Sequence, residues 1–295
     1  MNVFPFIEAE QAEQRNVAKA CELLEVSRSA FYEWHQHVPS GREAADEQLG
    51  ERIQDVYDGS RGTYGWPRVH RALRDDGVHV GRKRVARIMR DKGLIGRCRR
   101  RWVKTTISDP DVVAVDLLKR TFGPTVELDR VYVGDITYIR TWEGWLYLAT
   151  VIDLASRRVV GWAMADHMRA ELVCDALRMA IDARRPAPGA IFHSGRGSQY
   201  TSREFTDLLA DHKMLQSLSR PRQCWDNAVA ESFFASLKLE CIYRQALPTR
   251  AHARRAVFDY IEVFFNRRRL HSALGYCTPA AYENKIRNTK AAHAA

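Results

Sequence analysis

Residues 131–141, 145–153 and 159–166 are three consecutive runs rich in Val, Ile, Tyr and Trp, separated only by Trp142-Glu-Gly144 and Ala155-Ser-Arg-Arg158. Such residues suit a pleated, half-buried surface, and turns this short predict an antiparallel meander. Alternating segments follow: a helix over 170–183, a short apolar strand over 190–193, a helix over 202–212, a strand over 214–218 and a helix over 227–240. A meander followed by alternating helices and strands implies an α/β unit, a mixed sheet covered by helices.

Before residue 130 the pattern is helical. In 14–36, Val17, Ala20, Cys21 and Leu24 recur at helical spacing, a break follows at Glu25–Val26, and Ser27 can cap the next helix. That is the outline of a helix-turn-helix with Arg28 near the start of its second helix, or of a plain helical hairpin. A second helical unit spans about 43–94. Its turn-rich entry is 60–67, with Pro67 suited to a first helical turn, and two apolar stripes flank the turn at 75–77. The later helix sets Arg82, Lys83, Arg84, Arg87 and Arg90 around the seam of Val85, Ile88 and Met89, which makes it the better recognition-helix candidate. Arg97, Arg99, Arg100, Arg101 and Lys104 continue it as a basic tail. The expected division is a helix-turn-helix-like segment at 1–40, a helical DNA-binding unit at 41–105, a linker at 106–125, the sheet domain at 126–245 and a basic helical tail at 246–295.

The charge is placed unevenly. The chain carries +10, and residues 82–104 hold eleven Lys or Arg against the single acid Asp91, so the remainder is close to neutral. So dense a local block is the footprint of a polyanion partner, with a solvated surface helix as the plainer alternative. The block lacks the broad apolar face of an interfacial helix, and no apolar run reaches the ~18 residues of a membrane span. The first fifteen residues lack the basic-then-apolar order of a signal peptide, so a cytoplasmic protein is expected. The six cysteines are scattered without a C-x-x-C pair, which favours reduced thiols over zinc or a disulfide framework.

Three carboxylates stand in apolar surroundings: Asp135 inside the first strand, Asp153 closing the second, and Glu231 in a helix beside Phe233, Phe234 and Leu237. A buried charge is costly unless paired or bound to a cation. Each is therefore either a structural ion or part of a site.

The segments VGDITYI, LATVIDLASRRVVGW, IFHSGRGSQYTS and DNAVAESFFASLKLE closely resemble the catalytic core of bacterial insertion-sequence transposases, in particular the downstream-frame protein of the insertion-sequence-three family. TYGWPRVHRAL upstream and FFNRRRLHSALGYCTPAAYE downstream extend the resemblance over roughly 60–283. It implies a retroviral-integrase-like, RNase H-like core preceded by all-α helix-turn-helix DNA-binding elements. It also implies a D-D-E set of three carboxylates that binds two Mg2+ or Mn2+ ions. The first falls on Asp135 and the third on Glu231. The second belongs in a His-Ser-Asp-x-Gly-Ser-x-Tyr segment, which here reads His193-Ser-Gly-Arg-Gly-Ser-Gln-Tyr200, so Gly195 stands where the family has aspartate. Thirty-five residues separate 195 from 231, the spacing kept by resembling integrases, so the register is intact.

In phosphoryl transfer the protein mainly positions reactants and neutralises charge, and hard cations draw few ligands from protein, so each anionic one matters. Glycine offers only backbone atoms, and a rate loss of several powers of ten, about 4 kcal/mol or more, is expected. Asp153 and Asp226 are the candidates to stand in; Ser194 and His193 are not hard anionic ligands, and His193 is expected to be a structural strand-end residue.

The resemblance further implies double-stranded DNA partners (element terminal inverted repeats and target DNA), a homo-oligomer, an upstream-frame helix-turn-helix protein of the same element, and a location at the bacterial nucleoid. Besides the basic block, an expected C-terminal helix over 250–269 offers Arg254, Arg255, Arg267, Arg268 and Arg269, with Val257, Tyr260, Ile261 and Phe264 inward. The loop before Glu231, with Arg222 and Trp225, is placed to wall a DNA end. The expected function is a transposase that cuts element ends and transfers strands, impaired here through Gly195. The alternative is a catalytically inactive DNA-binding regulator or competitor. A plain RNase H-type nuclease would leave the helix-turn-helix units and basic tail unexplained.

Overall fold

The structure, a computed structural model, describes residues 3–36, 40–97, 127–219 and 227–294. The chain divides into two compact units, Met1–Gln54 and Asp55–Ala295.

In the first unit, α1 (Phe4–Ala12), α2 (Val17–Leu23) and α3 (Arg28–His35) close around Ile7, Cys21 and Phe31, which are at most 1% exposed. Asn16 caps α2 by accepting from the N–H groups of Ala18 and Lys19, and Ser27 caps α3 by accepting from that of Ala30. Glu25, at φ 55°, turns the chain between them. The helix-turn-helix outline over 14–36 is therefore present, with α1 added as a third helix that sequence reasoning did not anticipate. Helix α4 (Gly41–Gly59) follows.

The second unit contains α5 (Trp66–Asp75) and α6 (Arg82–Asp91), then a five-stranded mixed sheet. Its strands are β1 (Val131–Thr141), β2 (Gly144–Asp153), β3 (Val159–Ala165), β4 (Ile191–Ser194) and β5 (Leu215–Leu218), in the order β3-β2-β1-β4-β5. The first three form the antiparallel meander, and β4 and β5 add in parallel on the β1 side. Helix α7 (Ala170–Arg184) lies so close on β3 that a Cβ at Gly161 would come within 2.2 Å of the Ala176 carbonyl oxygen. Tyr132, Val151, Leu177, Phe192 and Phe205, the last from α8 (Arg203–Asp211), fill the core beneath it. Helix α9 (Ala228–Glu240) also packs on this sheet.

The C-terminal residues differ from expectation in two ways. Instead of one helix over 250–269, α10 (Arg250–Phe258) gives way to a π-helical stretch, Asp259–Phe265, and then to turns. And instead of forming a separate tail, the segment is built into the sheet domain. Asn266 takes the N–H and C=O of Val159 in β3 (3.0 and 2.9 Å), doing what an additional strand would do at that edge. In α11 (Pro279–Ala294), the buried Glu283 accepts from Arg158 (2.7 Å), Arg184 (2.5 Å) and Ser156 (3.0 Å). The α5 entry is joined to the same segment: Tyr64 Oη donates to the Arg268 carbonyl (3.0 Å) and accepts from the Leu270 N–H (2.8 Å), while Arg68 Nε donates to the Leu270 carbonyl (3.0 Å).

Among the described residues, Cys21, Cys174, Cys241 and Cys277 are free thiols, and no helix is long and apolar enough to cross a membrane.

Burial alone would raise the Glu283 carboxyl, but hydrogen bonds and charge from Arg184 and Arg158 outweigh it and hold the group below its usual range. Its ionised form therefore stabilises the fold above the unfolded carboxyl's pKa of about 4.3, and that contribution is lost as the pH falls through the lower folded value. Glu283→Gln, which strands two arginines, is expected to lower unfolding free energy at pH 7 by about 3–5 kcal/mol. The variant should also lose less stability than the parent between pH 5 and 3, about a unit either side of the free carboxyl's pKa. Urea unfolding at the two pH values checks both statements.

Candidate active site

Asp135 sits in the middle of β1, opposite Thr150 of β2. Its neighbour Gly134 is a glycine for a steric reason: a Cβ there would come within 2.3 Å of the Phe192 ring of β4. That contact lets β1 and β4 run side by side, with Gly134 in register with Ser194. The next positions on the two parallel strands are Asp135 and Gly195. Glu231 arrives from the first turn of α9. Asn227, flanking that helix, donates from Nδ2 to the Gly134 carbonyl (3.3 Å), which pins the start of α9 one residue from Asp135.

The Asp135 carboxyl feels the charge of Glu231. Burial lifts the Asp135 carboxyl to about 6; the Ile136 N–H (2.8 Å) opposes the rise, the charge of Glu231 adds to it, and Lys238 offsets part. Lys238 lies seven residues beyond Glu231, two turns along the same face of α9, and its ammonium stands 5.1 Å from the Tyr138 ring. Sequence reasoning passed over Lys238, although its spacing from Glu231 is legible. It also passed over the exposed aromatics Tyr138, Trp142, Trp145 and Tyr243 next to it.

Gly195 differs from Gly134 and Gly161. Its φ is not in the left-handed region, and no atom of the described residues lies within 4 Å of where a Cβ would be. The backbone does not require glycine there, and an aspartate would enter space that no described residue fills.

Of the proposed stand-ins, Asp153 does not reach the gap. Asp153 is fully buried and spent on the turn after β2, accepting from the Asp129 N–H (3.0 Å), the Ser156 N–H (2.7 Å) and the Ser156 hydroxyl (2.6 Å). It pairs with Tyr132, three residues along β1 from Asp135, which at strand spacing is about 10 Å away. Asp226 lies outside the described residues. His193 is buried with its Nδ1 at 2.9 Å from Ser217 Oγ and its Nε2 at 3.1 Å from Ser219 Oγ, so both ring nitrogens serve the β4–β5 join.

Of the expected DNA contacts, Arg28 is exposed at the start of α3. Arg82, Lys83 and Arg90 are exposed on α6; Arg84 and Arg87 are half-buried, and Arg87 bonds Asp91 (3.2 Å). Arg97, Arg255, Arg267 and Arg268 are exposed. Arg254 is half-buried and donates to the Met164 carbonyl of β3. Arg269 must be reassigned. It is 6% exposed, grips both oxygens of buried Glu240 (2.7 and 2.8 Å), and shares that carboxylate with the Tyr260 hydroxyl (2.8 Å). A guanidinium so committed is structural. Arg99, Arg100, Arg101, Lys104, Arg222 and Trp225 lie outside the described residues.

Asp135 and Glu231 supply hard, mutually repelling oxygens, a donor set that fits one divalent cation. They do not complete a two-ion set: among the described residues no cluster of three or more His, Cys, Asp or Glu is arranged to hold a metal.

Residues 127–224 and 212–279 match families described as integrase core domain, and residues 44–102 match one described as an HTH-like domain. The chain is 40% identical over 266 residues to the insertion element IS600 31 kDa protein of Shigella sonnei, covering 90% of this chain and 97% of the relative. It is 39% identical over 288 residues to the transposase InsF for insertion sequence IS3A of Escherichia coli strain K12, covering 96% and 98% respectively. Among solved structures, the magnesium complex of the HTLV-2 integrase catalytic core is similar over 52% of this chain and 95% of that one, at 14% identity and a TM-score of 0.39.

Four variants separate structure from site. Arg269→Ala is expected to cost about 3–5 kcal/mol by leaving Glu240 uncompensated, whereas Arg267→Ala and Arg268→Ala stay within about 0.5 kcal/mol. Denaturant titrations of the three give the comparison. Gly195→Asp is expected to fold normally and to bind Mn2+ at least about tenfold more tightly by calorimetry. Equal affinity would show that position 195 does not face the Asp135–Glu231 pair.

Proposed function

The chain belongs to the family of insertion-sequence IS3 transposases, and from that membership we propose that it binds the ends of such an element and target DNA through a phosphoryl-transfer centre left incomplete at Gly195. The observation that carries this reading is the meeting of Asp135, Glu231 and position 195. Two strands and a helix converge there, and no described residue fills the position that lacks a side chain. No described residue sterically prevents a carboxylate from standing there, which bears on chemistry rather than folding.

In the complete set, divalent ions would supply charge neutralisation at the scissile phosphate. This chain's own residues contribute the rest. Asp135 and Glu231 present oxygens at the junction of β1 and α9. Lys238 adds a cation on the same helix face, suited to a phosphate of the bound strand. The exposed arginines of α6 and of 267–268, with Arg255, provide the sequence-independent attraction to DNA that weakens steeply with salt.

A second reading follows from the same gap: a DNA-binding protein without phosphodiester chemistry, which occupies element ends and competes with an active relative. It keeps the DNA-facing surfaces and the assembly and differs in the outcome of a single comparison. The chain and its Gly195→Asp variant, incubated with labelled element-end duplex and Mg2+ or Mn2+, are expected to bind alike. Cleavage and strand transfer are expected to be faster in the variant by about three powers of ten or more. If the unaltered chain reacts as fast as the variant, the assignment of position 195 as the missing carboxylate fails.

A further inference from the structure

Beyond Asp135, β1 runs on into its hairpin with β2, and α9 runs on past Lys238 into a 3-10 turn, Ile242–Arg244. Between the hairpin and the turn lies a groove of about 650 Å3. Four large aromatic side chains line it and remain exposed: Trp142 at 78%, Tyr243 at 70%, Tyr138 at 58% and Trp145 at 44%. Their backbone is braced. The Trp142 N–H donates to the Leu247 carbonyl (3.2 Å), which joins the two walls. Arg250 of α10 donates from its N–H to Glu143 (2.8 Å) and from Nε to the Trp145 carbonyl (3.0 Å). Tyr138 and Trp145 meet edge to face, with ring centroids 5.2 Å apart. Lys238 and Arg140 are the cations of the groove, and no acidic side chain is among its described lining residues. Burial lowers the pKa of the Lys238 ammonium and the charge of Asp135 opposes the fall, so this side chain belongs both to the groove and to the surroundings of Asp135.

Single exposed apolar side chains are ordinary, but large ones gathered in one concavity mark a binding surface. An apolar small molecule would use the rings and leave the cations idle. A lone anion would use the cations and leave the rings idle. A nucleic-acid strand uses both, because every base has a face that stacks on an aromatic ring and every nucleotide carries a phosphate. Bases inside a duplex are already stacked on one another, so the bases that enter must be unpaired. Position favours the same ligand. Lys238 is seven residues beyond Glu231, about 10 Å along the helix, or about three nucleotides at duplex spacing. A strand with one phosphate at the Asp135–Glu231 pair therefore reaches the groove within a few nucleotides. We propose that this groove binds unpaired bases of a DNA strand, which stack on Trp142, Trp145 and Tyr243 beside Tyr138 while Lys238 and Arg140 hold the adjoining phosphates. The choice of DNA over an acidic protein surface rests on the reading that the neighbouring centre receives a DNA end. The stacking does not depend on the chemistry at Gly195.

The test uses the full chain and three labelled probes followed by anisotropy. The first is a thymidine oligomer of about 12 nucleotides, within the span of single-strand sites. The second is an abasic oligomer of the same length and charge, and the third a blunt element-end duplex. The parent is expected to bind the thymidine oligomer at least about tenfold more tightly than the abasic one, the contribution of one or two stacked bases. Trp142→Leu combined with Tyr243→Leu, both at exposed positions, should fold as the parent does by circular dichroism and lose that preference, with duplex affinity unchanged. Trp142→Phe combined with Tyr243→Phe keeps an aromatic face at each position and should retain it. Equal affinity of the parent for the two oligomers, or a preference undiminished in the leucine double variant, overturns the groove as a stacking site. Sedimentation covers the rival occupant: a parent that dimerises, a leucine double variant that does not, and no base preference in either would assign the groove to a second copy of the chain and overturn the proposal. Duplex binding without base preference sinks the groove alone. Base preference without duplex binding sinks the reading of a DNA-end centre and leaves the groove a single-strand site.

Discussion

The closeness of β1 to β4 at Gly134 is the constraint on which the site depends. A side chain there would collide with the Phe192 ring, and the parallel pairing that sets Asp135 beside position 195 would have to shift. The same residue's carbonyl receives the Asn227 amide that seats the start of α9. One backbone position therefore fixes two of the three directions from which the site is assembled. The third, the meander partner β2, follows from turn length alone, because a connection as short as the one between β1 and β2 allows only an antiparallel neighbour.

Helix α9 is held at both ends by polar contacts that are unusual for a core helix. Asn227 fixes its beginning, and at its end the carboxylate of Glu240 is enclosed by Arg269 and Tyr260. Buried ion pairs contribute little net stability, but removing one partner is severe, so they act as constraints on geometry. Glu231 lies between two such constraints, and its placement depends on residues that are remote from it in sequence. This explains why the C-terminal segment is not a tail. Through Arg269, Asn266 and Glu283 it ties α9, the edge strand β3 and the end of α7 into one unit with the sheet.

Much of the fold was legible because its signals are local. The β-branched runs, the turns between them and the cap at Ser27 act within a few residues, and the elements came out close to their expected bounds. The meeting of Asp135 with Glu231 was legible through resemblance, not through periodicity. What was not legible depends on pairs distant in sequence. Arg269 reads as one more cation in Asn266-Arg-Arg-Arg-Leu270 until Glu240, twenty-nine residues earlier, is seen to enclose it. Asp153 resembles a candidate ligand until its carboxylate is found spent on Asp129 and Ser156. The break of the expected C-terminal helix into α10 and a π-helical stretch likewise has no marker: no Pro or Gly interrupts residues 250–269.

The contrast among the glycines bears on how such a chain can retain so complete a frame around a missing carboxylate. Gly134 and Gly161 are required by packing, so replacing them disturbs the sheet; none of the described residues around Gly195 requires glycine there. Charge favours the same conclusion. Three carboxylates facing one another without cations repel, and two unit charges about 4 Å apart cost about 4 kcal/mol at the effective dielectric of a protein surface. The raised pKa of Asp135, to about 6, already records part of that tension from burial and from Glu231. A glycine at position 195 adds no further charge to that pair in the metal-free fold. Position 195 is thus one that the described residues do not constrain, whereas Gly134 and Gly161 remain under structural constraint whatever stands there.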